Sequence, residues 1–97
     1  MNDIEIYKQA LKLWGYEFQE TMLIEECSEL IQAICKRKRN GEYWNLLEEL
    51  MDVKIMVEQI ELHYKQKGLE CELINFKAKK LIRLQNRIDK EKSCKSK

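Results

Sequence analysis

The chain has 97 residues, 44% hydrophobic and 36% charged, with no proline and three glycines. That length suits one domain, the apolar fraction is too large for a disordered chain, and no proline interrupts long helices. Eighteen basic residues balance seventeen acidic ones for a formal charge of +1, which disfavours both a globally basic binder of nucleic-acid polymers and an acidic tail protein.

Four helices are predicted in chain order, at about residues 3–14, 18–39, 43–67 and 70–92, because apolar residues recur with a 3.6-residue period and nowhere alternate. Gly15 closes the first. Asn40-Gly41 is the strongest turn signal and separates the second from the third. Gly68 follows the basic run His63-Tyr64-Lys65-Gln66-Lys67, which suits a helix C-terminus capped by glycine. The tail, residues 92–97, is expected to fray. The fold class is therefore all-α, a single domain over residues 1–97, and a core from so short a chain commonly gains stability by association. No apolar run approaches the ~18 residues of a membrane span, so no membrane partner is expected. The start, Met1-Asn2-Asp3-Ile4-Glu5, has no basic stretch before an apolar one, and a cytoplasmic location is expected.

Cys27, Cys35, Cys71 and Cys94 form no CxxC pair, which disfavours a zinc ribbon. Cys27 and Cys35 on one helix would stand about 12 Å apart along its axis, too far for a disulfide. The cysteines read as small apolar residues.

The second and third helices share a pattern: Glu25-Glu26-Cys27-Ser28-Glu29-Leu30 resembles Glu48-Glu49-Leu50-Met51-Asp52-Val53. Advancing each residue by about 100° tests whether these acids only decorate a solvated face. With Glu26 at zero, Glu29 falls near about −60°, Ala33 near about −20° and Leu30 near about +40°. With Glu49 at zero, Asp52 falls near about −60°, Met56 near about −20° and Val53 near about +40°. Glu25 and Glu48 fall outside, near about −100°. Four carboxylates, Glu26, Glu29, Glu49 and Asp52, thus border apolar stripes and point into a helical bundle. Buried carboxylates need a compensating charge, and an all-oxygen donor set suits Mg²⁺, with Mn²⁺ as a substitute. Two acid pairs from facing helices can form such a cage.

Glu-x-x-Glu at Glu26–Glu29 and Glu-x-x-Asp at Glu49–Asp52, with nineteen residues between the pairs, resembles the MazG-type all-α nucleoside triphosphate pyrophosphohydrolases. The segments EECSELIQAICKRKRNG and LLEELMDVKIMVEQI are similar to that family's two central helices, and the resemblance spans about residues 15–90. It implies a helical bundle completed as a dimer or tetramer. The implied activity is Mg²⁺-dependent hydrolysis of a (deoxy)nucleoside triphosphate, a (d)NTP, to monophosphate and pyrophosphate, as in nucleotide-pool housecleaning. Glu26, Glu29, Glu49 and Asp52 match the family's metal-binding acids, with Glu26 or Glu29 orienting or deprotonating the attacking water. Against longer members the chain is short, with one acidic helix pair, and a complete site is expected to draw on a partner subunit.

The fourth helix offers the opposite charge. With Lys80 at zero, Arg83 lies near about −60° and Arg87 near about −20°, bordering an apolar stripe. These three are candidate phosphate contacts; the alternative is side chains snorkelling on a solvated face. Gln19, seven residues before Glu26 on the same face, is a candidate base or ribose contact or an ordinary helix-start residue. Trp14 and Trp44 are candidates for stacking on a base, with core or interface packing the preferred reading. His63 lies about 16 Å along the axis from Asp52, too far for a metal role, and without Glu-x-x-His pairs a di-iron bundle is disfavoured. The competing function is a non-enzymatic helical-bundle interaction protein whose acids form salt bridges with the fourth helix.

Overall fold

The computed structural model describes residues 1–95. These residues form four α-helices and no strand: α1 (Asp3–Trp14), α2 (Tyr16–Asn40), α3 (Trp44–Gln66) and α4 (Glu70–Lys95). All-α architecture is therefore established. The backbone groups into two compact units, Met1–Tyr64 and the stretch that begins at Lys65. No helix among the described residues is long and apolar enough to cross a membrane.

Helix α1 begins where the Asn2 side chain accepts a hydrogen bond from the Glu5 N–H at 2.9 Å, satisfying one orphan donor of the first turn. Asp3 and Glu5 add negative charge at the positive end of the helix dipole. Gly15 alone separates α1 from α2. Its φ of 85° and ψ of 157° let its N–H reach the Leu11 carbonyl at 2.9 Å while the chain turns directly into the next helix. Helix α2 consequently starts two residues before the expected position. Its first turn is held by Tyr16, whose hydroxyl donates to Glu20 at 2.6 Å and lies 2.7 Å from the Tyr64 hydroxyl. The Tyr16 ring also stacks on His63 with centroids 3.9 Å apart.

The Asn-Gly turn forms as expected. Gly41 adopts the left-handed conformation and returns its N–H to Arg37 at 2.7 Å. Asn40 accepts from the Glu42 N–H at 3.0 Å, an Asx turn. Lys36 pairs with Glu42 at 2.8 Å across the turn, while Arg37, Lys38 and Arg39 occupy the last turn of α2, where cations suit the dipole.

Contacts between α2 and α3 set an antiparallel register. Tyr16 meets Tyr64, Gln19 meets Gln59 and Glu26 meets Asp52, so partners descend α3 as they ascend α2, and Lys36 meets Glu42 in the turn just before α3. Ala33, at 1% exposure, is the most buried core residue, joined by Tyr7 and Met56 and by the polar pair Gln19 and Gln59. No large side chain among the described residues is fully buried, whereas Ile24 and Ile31 on α2 are 67% and 62% exposed. Trp14 and Trp44 are also more than half exposed, which removes them from the core of the chain.

In the second unit, α4 has no buried residue, and Phe76, Leu81, Ile82 and Leu84 are exposed. The helix continues to Lys95, so residues 92–95 are helical where fraying was expected; residues 96–97 lie outside the described residues. All four cysteines are free. Cys27 is half-buried, and Cys35, Cys71 and Cys94 are exposed.

Candidate metal centre

The antiparallel register brings the acidic step of α2 beside that of α3. Oxygens of Glu26, Glu49 and Asp52 all lie within 4.8 Å of one another. Glu26 and Glu49 are half-buried, and Asp52 is exposed at the rim. The first acid of each pair sits closer to the centre of its apolar stripe than the second, which is why it is the one that buries an oxygen. Glu29 is exposed and is not one of the converging three, but its side chain reaches both Glu26 and Glu49 at hydrogen-bonding range and its charge acts on both.

Two atoms make the cluster unusual. Glu26 Oε2 and Glu49 Oε2 are buried and have no hydrogen-bond partner. Such orphaned oxygens are costly unless a cation or a proton meets them. The charges that shift Glu26 belong to Glu29, Asp52 and Glu49, and all are acids. The donor set therefore fits a hard divalent cation: all oxygen, two of the atoms unsatisfied, the third supplied from the rim.

Protonation is the other way to satisfy these atoms. Burial first, then the neighbouring acids, pushes the Glu26 carboxyl above its ordinary value of 4.5. Glu49 moves the same way, again chiefly through burial and then through Glu29 and Asp52. A carboxyl raised on folding holds its proton in the native state at a pH where the unfolded chain has lost it, so stability falls as pH rises through that window. In EDTA, the melting temperature should decline as pH is raised from about 4.5 towards neutrality, and the decline should be shallower in Glu26→Gln/Glu49→Gln. Excess Mg²⁺ should raise the melting temperature more at about pH 7.5 than at about pH 5, because ligating carboxylates must be ionised. Identical slopes in wild type and double variant would contradict this assignment.

The remaining candidates divide between the units. Gln19 is buried, at 3% exposure, and its amide donates to Gln59 Oε1 at 2.7 Å. It is a structural partner of α3 rather than an ordinary helix-start residue. Gln59 escaped the sequence reading, although it lies seven residues past Asp52, two turns along the same face. Lys80, Arg83 and Arg87 stand exposed on α4, in the second unit. Comparison with known proteins gives no matching family model, no matching curated protein and no matching solved structure.

Proposed function

We propose that this chain is a metal-dependent nucleoside triphosphate pyrophosphohydrolase acting on a (d)NTP. The observation that carries the reading is the pair of buried, unpartnered oxygens, Glu26 Oε2 and Glu49 Oε2, converging with Asp52. The choice of reaction follows what the resemblance of the same two acid pairs to the MazG-type pattern implies. Glu26, Glu49 and Asp52 would hold Mg²⁺, or Mn²⁺ in its place. When bound, such an ion supplies the positive charge that a triphosphate needs beside four carboxylates and polarises the phosphorus centre. Glu29, exposed and outside the trio, is the carboxylate left to orient the attacking water and accept its proton. Lys80, Arg83 and Arg87 are the candidate phosphate contacts. Self-association as a dimer or tetramer belongs to the same proposal and is supported by the exposed isoleucines of α2 and by the small core.

The reading is tested by incubating purified protein with a dNTP panel in Mg²⁺ and in EDTA. Pyrophosphate release that needs Mg²⁺ is the expected result. No release from any nucleotide, with no Mg²⁺-induced rise in melting temperature, would leave the helical interaction protein as the better account.

A further inference from the structure

An apolar pocket opens in the first unit, one to two helical turns from the acids. Trp14 and Phe18 contribute aromatic walls, Met22 and Met56 contribute thioethers, and Gln19 and Gln59 are its polar lining. Met22 precedes Glu26 by four residues and Met56 follows Asp52 by four, so the pocket and the acidic trio share the same two helix faces. From Gln19 to Glu26 the rise along α2 is about 10 Å.

The amides are the informative part. Gln19 Nε2 donates to Gln59 Oε1, but Gln59 Nε2 has only the Met56 sulfur at 3.4 Å. A thioether is a weak acceptor. A buried amide with so poor a partner gains from any ligand oxygen or ring nitrogen that reaches it. Aromatic walls accept a flat ring by stacking, and a polar group at the wall of an otherwise apolar cleft fixes that ring's orientation. Trp14 and Phe18, with centroids 6.4 Å apart, stand at this opening with both rings more than half exposed.

We propose that this pocket takes the heterocyclic base of the nucleotide, with Gln59, held by Gln19, as the specificity-determining residue that reads the base edge. The assignment rests on the nucleotide reading of the neighbouring acids, and it adds to that reading the residues that discriminate between bases. The base stacks against Trp14 and Phe18, and the Gln59 amide donates to a ring nitrogen or carbonyl on its edge. The ribose then spans the interval along α2 to the carboxylates.

The test uses free nucleosides and metal-free protein, so that it does not depend on the acids. Trp44→Phe leaves Trp14 as the single tryptophan, a fluorescent reporter inside the pocket. Titration with the common nucleosides should quench Trp14 saturably, with unequal affinities among the bases. Adding Gln19→Leu/Gln59→Leu removes both amides together and leaves no orphan, so the fold is expected to survive. In that background the preferred nucleoside should bind about tenfold more weakly and the differences among bases should shrink, while the Mg²⁺-induced rise in melting temperature stays unchanged. Trp14 emission insensitive to every nucleoside would overturn the proposal, as would unchanged affinities in the leucine variant. So would emission that shifts only with protein concentration, the sign of a second copy filling the pocket. If nucleosides bind as described but no triphosphate is hydrolysed, the base pocket stands and the pyrophosphohydrolase reading fails.

Discussion

Glu49→Gln should lower Mg²⁺-dependent pyrophosphate release by on the order of 10²–10³-fold while the helical circular dichroism spectrum is retained. The substitution keeps the side chain's length and shape and removes one charge. It places an amide where a buried, unpartnered carboxylate oxygen now sits, and an amide binds a hard cation far less well than a carboxylate does. Asp52→Asn removes the rim ligand and should fall in the same range. Glu29→Gln should behave differently. If its carboxylate accepts the proton of water, kcat falls and metal affinity stays, because its oxygens are not part of the converging trio. Glu25→Gln is the control: Glu25 lies outside the apolar stripe and is exposed, and activity should be unchanged. Steady-state kinetics across the four variants check this. Equal losses for Glu25→Gln and Glu49→Gln would mean that general surface charge, not a site, supports activity.

Gly15→Ala should destabilise the first unit by about 2–3 kcal/mol, read as a lowered urea midpoint with an unchanged m-value. At φ 85° and ψ 157°, Gly15 occupies a region that is essentially closed to residues with a Cβ. A Cβ placed there would meet nothing within 4 Å, so the cost is backbone strain alone. Gly41 makes the contrast. Its φ of 77° and ψ of 2° lie in the left-handed region that asparagine also visits. Gly41→Asn should therefore cost less than Gly15→Ala, although the space around both glycines is open. Because Trp14 and Phe18 flank Gly15 and line the pocket, the strained variant should also weaken nucleoside binding. An unchanged urea midpoint in Gly15→Ala would show that α1 and α2 can be joined in another way.

Much of this was readable from residue spacing. The helical wheel placed the acids of α2 and α3 on apolar faces because burial on one helix is a one-dimensional property with a fixed period. The structure adds the register, and with it the convergence of Glu26, Glu49 and Asp52, with Glu29 beside Glu26 and Glu49. The Asn40-Gly41 turn was legible because its chemistry is local. The Gln19–Gln59 pair was not, since its two members are 40 residues apart and meet only when the helices align. The exposure of Trp14 was not legible either: a large aromatic is compatible with a core, but beside a single-residue junction it is held at the mouth of a pocket. The early start of α2 reflects the same junction: Gly15 ends one helix and begins the next without a loop.

Manganese binding followed by electron paramagnetic resonance tests the central claim most directly, because it asks only whether the orphaned carboxylate oxygens take a cation. Titrating Mn²⁺ into the metal-free chain near neutral pH should suppress the free-ion signal saturably, with Mg²⁺ restoring it by competition. Glu26→Gln/Glu49→Gln, folded by circular dichroism, should leave the free-ion signal undiminished. A wild-type chain that leaves the Mn²⁺ signal at its protein-free intensity, or a double variant that binds Mn²⁺ as tightly as the wild type, would contradict the metal centre and the function built on it.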